Sequence, residues 1–417
     1  MIFLIILLVF ELFLVHKILR YFLLSPIYLY LLFGLTSIIL TVWYFYFFQN
    51  KFSLYNLDVV SEEVFLGVIK LYILALNSFL LGVLFYYEVS KKKTKIIFNK
   101  SFSERLFIKY KLSDSFNNIA AGIFFIIIIL YFITYGKGLF IRTDYLPNSN
   151  RVLTIFLKVL TFIEIILLGL IYNKKNLLST TLFLLTILVS ISTGSRSVFL
   201  FYIVYVCLIF ISSGNSLFNK LRFLFHVFIG FIFLAYIMQL RGLDSHGLIP
   251  YIKSIGSPTD FLRNVFFNVY YSFIYGVYVT IETINKAKLD WSIILININP
   301  LPGSIAGWYD YADNMRINFY VPYSLHGRVF KTGLFFSVIY FFITGLLFSY
   351  FESVVRKMFM DKNRILAFLI IILLVLHIVY AFEYNMRSAI RYFYYAFFIL
   401  LMRYLYVQIK KNLPKLK

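Results

Sequence analysis

A single cysteine, Cys207, stands in 417 residues. Without a second thiol the chain forms no internal disulfide and no thiolate metal cluster, so cysteine usage gives no redox compartment. Acidic residues are scarce too: 18 Asp and Glu face 40 Lys and Arg, for a net charge of +22, and only 14% of residues are charged. A soluble domain carries about 25%. Also missing are a Walker phosphate loop, a dinucleotide glycine fingerprint, an HExxH pair and a paired CxxC. ATP hydrolysis within the chain, hydride transfer and a zinc centre are thereby disfavoured, and neither cofactor nor metal is expected. The chemistry then needs a substrate that arrives activated.

What fills the chain is apolar. Hydrophobic residues make up 61% and aromatics 21%, and the mean hydropathy is +0.85. Runs such as 2–10, 27–48 and 123–133 point to a bilayer as solvent. At about 20 apolar residues per crossing, eleven spans are expected: 2–19, 27–48, 64–87, 117–135, 152–172, 177–192, 198–213, 223–239, 333–351, 365–382 and 392–409. The fold class is an all-α polytopic integral membrane protein, with 1–417 as one polytopic transmembrane domain. The first span lacks a basic leader and a small-residue cleavage site, and reads as a retained helix.

Lysine-rich loops set the orientation. Lys91, Lys92, Lys93 and Lys95, then Lys174 and Lys175, Lys220 and Arg222, Arg356, Lys357, Lys362 and Arg364, and the tail Lys410, Lys411, Lys415 and Lys417 fall on one side of alternating spans. That side is cytoplasmic by the positive-inside rule. Residues 240–332, between the eighth and ninth spans, form a long extracytoplasmic loop with short helices, punctuated by Pro250, Pro258, Pro300, Pro302 and Pro322. Within it, 261–284 is strongly aromatic and is expected to lie in the interface or re-enter. On the inner side, 96–116 suits an in-plane amphipathic helix.

The charge is unevenly distributed by kind. In a soluble protein +22 would suggest nucleic acid. Here inner lysines meeting anionic membrane lipids account for part of it, and no nucleic acid is expected. The expected outer loops nonetheless hold Arg142, Arg151, Arg196, Arg241, Arg263, Arg316, Arg328, Arg387 and Arg391. Guanidinium binds phosphate oxygens through a planar fork, whereas ammonium acts as a point charge. An anionic ligand is one reason for such a set.

Four constellations gather six of these nine arginines and leave Arg142, Arg151 and Arg263 unassigned. Thr193-Gly194-Ser195-Arg196-Ser197 places glycine and small hydroxyls where backbone N–H groups approach an anion, with Arg196 facing it; the competing account is a tight turn. Arg387 and Arg391, spaced i, i+4, share one helical face and repel unless an anion lies between them; an ordinary Glu383–Arg387 pair competes. Arg241, before Gly242, sits where the eighth span ends, and snorkelling to headgroups competes there. Arg316 and Arg328 flank Pro322, Tyr323, His326 and Gly327. His326 is the best-placed general base, its neutral form favoured by neighbouring positive charge, with His246 as the alternative. Glu11 and Glu164 fall near mid-span, where ionised carboxylates are costly, and pairing with Lys158 or Lys70 is the expected relief.

The TGSRS segment at 193–197, Arg241-Gly242, the long loop ending at the ninth span, and Arg387 with Arg391 together resemble the Wzy-type polysaccharide polymerases, also called O-antigen or oligosaccharide repeat-unit polymerases. Arg316 followed by Gly327 is similar to an arginine–glycine pattern of one member. The resemblance implies a GT-C-like ligase/polymerase architecture in the bacterial cytoplasmic membrane, with the active site facing outwards. The implied substrates are undecaprenyl-pyrophosphate-linked oligosaccharides, with a chain-length regulator as a further partner. It implies catalytic roles for His326, Arg196 and Arg241, and substrate binding by Arg387, Arg391, Arg316, Arg328, Gly194, Ser195 and Tyr323. Trp291, Trp308, Tyr309, Tyr311 and Tyr320, like Tyr323, are placed to stack on sugars or to anchor at the interface. Three alternatives stay open: a related ligase, a lipid-linked oligosaccharide flippase, and a lipid-phosphate-sugar glycosyltransferase. The last resembles enzymes with an essential acid in the first outer loop, where Asp58, Glu62 and Glu63 lie.

Overall fold

A computed structural model describes residues 2–19, 25–99, 115–145, 147, 149–172, 176–195, 197–212, 217–240, 243–254, 259–319, 321–361 and 363–412. In chain order the helices are α1 (Ile2–Leu19), α2 (Pro26–Phe48), α3 (Glu62–Asn99), α4 (Ser115–Tyr135), α5 (Arg151–Ile171), α6 (Asn176–Ile191), α7 (Ser197–Ser212), α8 (Leu217–Gln239) and α9 (Leu248–Ser254). They continue as α10 (Thr259–Val269), α11 (Tyr275–Lys286), α12 (Trp291–Ile298), α13 (Trp308–Ala312), α14 (Leu325–Lys331), α15 (Leu334–Met360), α16 (Arg364–Glu383) and α17 (Met386–Asn412). The only β-type pairings among the described residues are two isolated bridges, Arg142 with His246 and Arg316 with Pro322.

The protein is an all-α multi-pass membrane protein. Among the described residues, eight helical segments are long and apolar enough to cross a bilayer: Ile2–Leu19, Pro26–Phe48, Glu62–Ser90, Ser115–Leu139, Val152–Ile171, Leu334–Met360, Arg364–Phe382 and Met386–Ile409. They match the first five and last three expected spans. The sixth to eighth correspond to shorter apolar helices, Leu177–Ile191, Val198–Phe210 and Leu221–Gly230. Most of the in-plane helix expected over 96–116 lies outside the described residues.

The chain divides into two compact units, Met1–Phe102 with Val269–Lys417, and Ser103–Asn268. In the first, α3 and α15 cross at their small residues. A Cβ on Gly82 would stand 2.2 Å from the Phe342 carbonyl oxygen, and one on Gly345 2.1 Å from that of Phe79. Ser78 precedes Gly82 by four residues and Ser349 follows Gly345 by four, so each helix presents a small-xxx-small stripe that lets backbones meet.

A buried ion pair lies near the far end of α15. Arg356 donates to Glu352 Oε1 from Nε at 2.9 Å and from Nη2 at 2.5 Å. Glu352 Oε2 accepts from Ser25 Oγ at 2.5 Å and from the Ile27 amide at 3.4 Å. The carboxylate thus sits at the N-terminus of α2, where free amides favour an anion. Arg356, expected in the inner loop after the ninth span, is instead fully buried on α15, which runs on to Met360.

Within the aromatic stretch 261–284, a π turn, Tyr270–Ile274, joins α10 to α11. Residues 275–281 are buried without interruption, and α11 packs on α3, α14 and α16. A helix lying in the membrane interface keeps one face towards lipid and one towards water. α11 is instead inserted among protein neighbours.

In the second unit α5 packs against α4, α6 and α7. Ile127, Tyr131, Leu139 and Leu157 form a buried cluster there.

Candidate functional site

The arginines of the long loop and of the start of α17 are mostly committed to backbone. Arg387 donates to the carbonyl of Ile296 at 2.6 Å and to that of Leu301. Tyr394 donates to the carbonyl of Ile298. Ile296 and Ile298 belong to the last turn of α12, whose carbonyls lack intrahelical donors and carry partial negative charge. Two side chains of α17 therefore cap α12.

Arg391 follows Arg387 by one helical turn and is exposed. The two guanidiniums feel one another, and Tyr309, Tyr394 and Tyr395 lie within electrostatic reach of Arg387. Tyr309 and Tyr395 are exposed. This corner thus combines one anchored arginine, one exposed arginine and aromatic surface.

Arg328 is buried, donates to the Lys288 carbonyl at 3.0 Å, and sits over the Tyr323 ring at 4.6 Å. Burial lowers its pKa from the ordinary guanidinium value. Tyr323 is itself buried in a cluster with Ala287, Ile293 and Met315. The sugar-stacking face expected of it is covered on one side by Arg328. Arg316 donates to the Phe319 carbonyl at 3.3 Å and lies 3.7 Å from Asp313, steadying the 313–322 turn. Trp291, Tyr309 and Tyr311 are exposed; Tyr320 lies outside the described residues.

The surroundings of His326 correct the expectation of a general base kept neutral by neighbouring positive charge. The histidine is buried, with ring centroids of Phe382, Tyr72 and Phe341 at 4.6, 4.9 and 5.3 Å. Its Nδ1 lies 2.8 Å from the Ala381 carbonyl, which only accepts, so the proton resides on Nδ1. Its pKa is pushed down to about 3, first by burial and to a lesser extent by His377, while the Ala381 bond opposes the shift. Desolvation, not arginine proximity, keeps it neutral. It joins α14 to the end of α16.

In the second unit, Gly194 adopts φ +71° and its amide donates to the Ile191 carbonyl at 2.8 Å. It ends α6 as a left-handed cap, so this N–H is not aimed at an anion. Tyr145 covers the turn, donating to the Gly194 carbonyl. Ser195 follows as the carbonyl that accepts from Val198. Arg142 donates to the carbonyls of Gly138, Ser192, Asp144 and Tyr145 at 2.7–2.9 Å, so it staples this turn to the end of α4. His246 pairs through its backbone with Arg142, and its imidazole pKa is lowered by burial and then by the Arg142 charge. Arg196, Arg241 and Gly242 lie outside the described residues.

Asp58 is fully buried. Its Oδ2 accepts from Tyr44 at 2.9 Å and from the Asn50 amide at 3.0 Å, while Oδ1 has no hydrogen-bond partner. Glu62 accepts from Tyr46 at 2.7 Å. Neither mid-span glutamate has the lysine partner expected. Both Glu11 oxygens and Glu164 Oε2 are buried and without hydrogen-bond partners, and Lys70 and Lys158 are exposed.

Comparison with protein-family models, curated proteins and solved structures finds no match to this chain.

Proposed function

We propose that the protein is a polysaccharide polymerase of the bacterial cytoplasmic membrane, joining undecaprenyl-pyrophosphate-linked oligosaccharide units on its outer face. This reading takes eleven spans, the three shorter apolar helices included, and a GT-C-like ligase/polymerase plan. The observation that carries it is the corner at α17. Arg391 is exposed, its neighbour Arg387 is fixed by α12, and exposed tyrosines stand nearby. Guanidiniums held at this corner would stabilise charge that develops on a leaving pyrophosphate. The acceptor hydroxyl attacks the anomeric carbon of the growing chain, the carbon–oxygen bond to pyrophosphate breaks, and undecaprenyl pyrophosphate leaves. The hydroxyl proton passes to an ionised oxygen of the departing pyrophosphate. By the sequence resemblance alone, Arg196 and Arg241 remain candidate catalytic residues. His326 positions α14 and takes no proton.

One observation favours a second reading. The buried, half-satisfied carboxylate of Asp58 suits an acid in the first outer loop of a lipid-phosphate-sugar glycosyltransferase. Reconstitution decides between the two. Purified protein in vesicles with lipid-pyrophosphate-linked repeat units should build a ladder of longer chains, lost in Arg391→Ala and kept in Asp58→Asn. Loss in Asp58→Asn alone, with a lipid-monophosphate sugar as donor, supports the second reading.

A further inference from the structure

The second unit holds a carboxyl group that no role above uses. Glu164 of α5 is fully buried. Around it stand hydroxyls from three helices: Thr161 on α5, Thr186 and Ser190 on α6, and Tyr131 on α4, all buried. Thr186 Oγ1 lies 3.1 Å from Glu164 Oε1 and 2.9 Å from the Leu182 carbonyl. Tyr131 and Ser190 hydroxyls are 2.9 Å apart, and Thr161 lies within electrostatic reach of Tyr131. On α6, Ser179, Thr186, Ser190 and, just beyond its end, Thr193 fall at intervals of seven, four and three, on one buried face. The seam runs along that face to the turn at 192–195.

Counting protons decides what Glu164 needs. A threonine hydroxyl has one proton to give, and Thr186 is closer to the Leu182 carbonyl, which accepts only. Thr161 Oγ1 likewise lies 2.8 Å from the Leu157 carbonyl. Glu164 Oε2 has no hydrogen-bond partner at all. An ionised carboxylate here lacks the donors and counter-charge that a buried charge requires. The helices packed on α5 supply none: α4 carries only Tyr131 and Tyr135 as titratable groups, α6 carries none, and α7 carries Tyr202, Tyr205 and Cys207. On α5 itself Lys158 is exposed, and the other cation, Arg151, stands at the start of the helix, 13 residues before Glu164. One positive charge is missing, and every ligating atom in the seam is oxygen. A single carboxylate with neutral oxygens suits a proton or a small hard monovalent ion, whereas divalent sites gather more carboxylates.

We propose that Glu164 binds and releases one unit of positive charge, a proton or a small monovalent cation such as sodium, in the hydroxyl seam between α4, α5 and α6. Such a site gives this unit a means of responding to a proton or sodium gradient, and it is independent of the polymerase reading. Infrared difference spectra between the full-length wild type and Glu164→Gln in lipid nanodiscs test it. A carboxylic acid C=O band that disappears at alkaline pH and ignores sodium supports a proton site. Carboxylate bands that shift when choline is replaced by sodium support a cation site. A Glu164 signal, acid or carboxylate, that answers neither pH nor sodium overturns the proposal. Should Glu164→Gln fail to fold, labelling of the wild type by dicyclohexylcarbodiimide, mapped by peptide mass, replaces it. Loss of the Glu164 adduct at alkaline pH or with sodium supports the site. An adduct that neither condition changes, or none at Glu164 while other buried carboxyls are labelled, overturns it.

Discussion

Arg387 reaches the carbonyl oxygen of Ile296, 91 residues earlier in the chain, at 2.6 Å. This bond separates two arginines that the sequence presents as equals. Arg387 caps α12, while Arg391, one turn on, is exposed. Arg387→Ala should lower stability by roughly 1.5–3 kcal/mol, the worth of charge-assisted bonds to backbone. Arg391→Ala should stay within about 0.5 kcal/mol, as surface changes do, while abolishing polymer formation. Thermal unfolding of the two purified variants in detergent, beside their polymer yields, checks the split.

The α3–α15 crossing makes a second prediction. Gly82→Leu or Gly345→Leu would drive a side chain into a backbone carbonyl, at a cost of at least about 1–3 kcal/mol. Gly67 on α3 has nothing within 4 Å of its would-be Cβ, so Gly67→Ala should be neutral or stabilising by about 0.5–1 kcal/mol. Detergent-solubilised yield and melting temperature distinguish the three.

The Glu352–Arg356 pair should behave as a buried unit. Arg356→Met leaves an uncompensated carboxylate and should cost about 3–5 kcal/mol. Adding Glu352→Gln should recover part of that loss. If the double variant is no more stable than the single in thermal unfolding, the pair is not coupled.

How much of this was legible in the sequence follows from what sequence periodicity encodes. Spans with long apolar runs were readable, because burial in lipid needs only length and composition. The roles of the arginines were not. Arg387 and Arg391 share one face and one residue type, and only the fold brings the carbonyls of Ile296 and Leu301 to the first of them. His326 read as a loop histidine because it follows a proline- and glycine-rich stretch; its aromatic surroundings come from three other helices, α3, α15 and α16. The hydroxyl seam had a signal, the spacing of Ser179, Thr186, Ser190 and Thr193, which becomes meaningful once Glu164 on the neighbouring helix is seen to face it.

His326 gives a pH prediction. Its folded pKa of about 3 lies below the ordinary histidine value of 6.5. The unfolded chain therefore binds a proton between those values that the folded one does not, and stability falls as pH drops below about 6.5, by at most about 1.4 kcal/mol per pH unit. Melting temperatures at neutral and mildly acid pH should differ more in the wild type than in His326→Phe. Equal slopes would remove His326 from the acid response.

The most direct test of the central claim is the length of surface glycan in a strain lacking this chain, complemented with the wild type or with Arg391→Ala. Single capped repeat units are expected in the deletion and in Arg391→Ala, at wild-type protein levels, and full-length polymer with the wild type. Full-length polymer with Arg391→Ala, or a deletion in which no repeat unit reaches the surface, would contradict it.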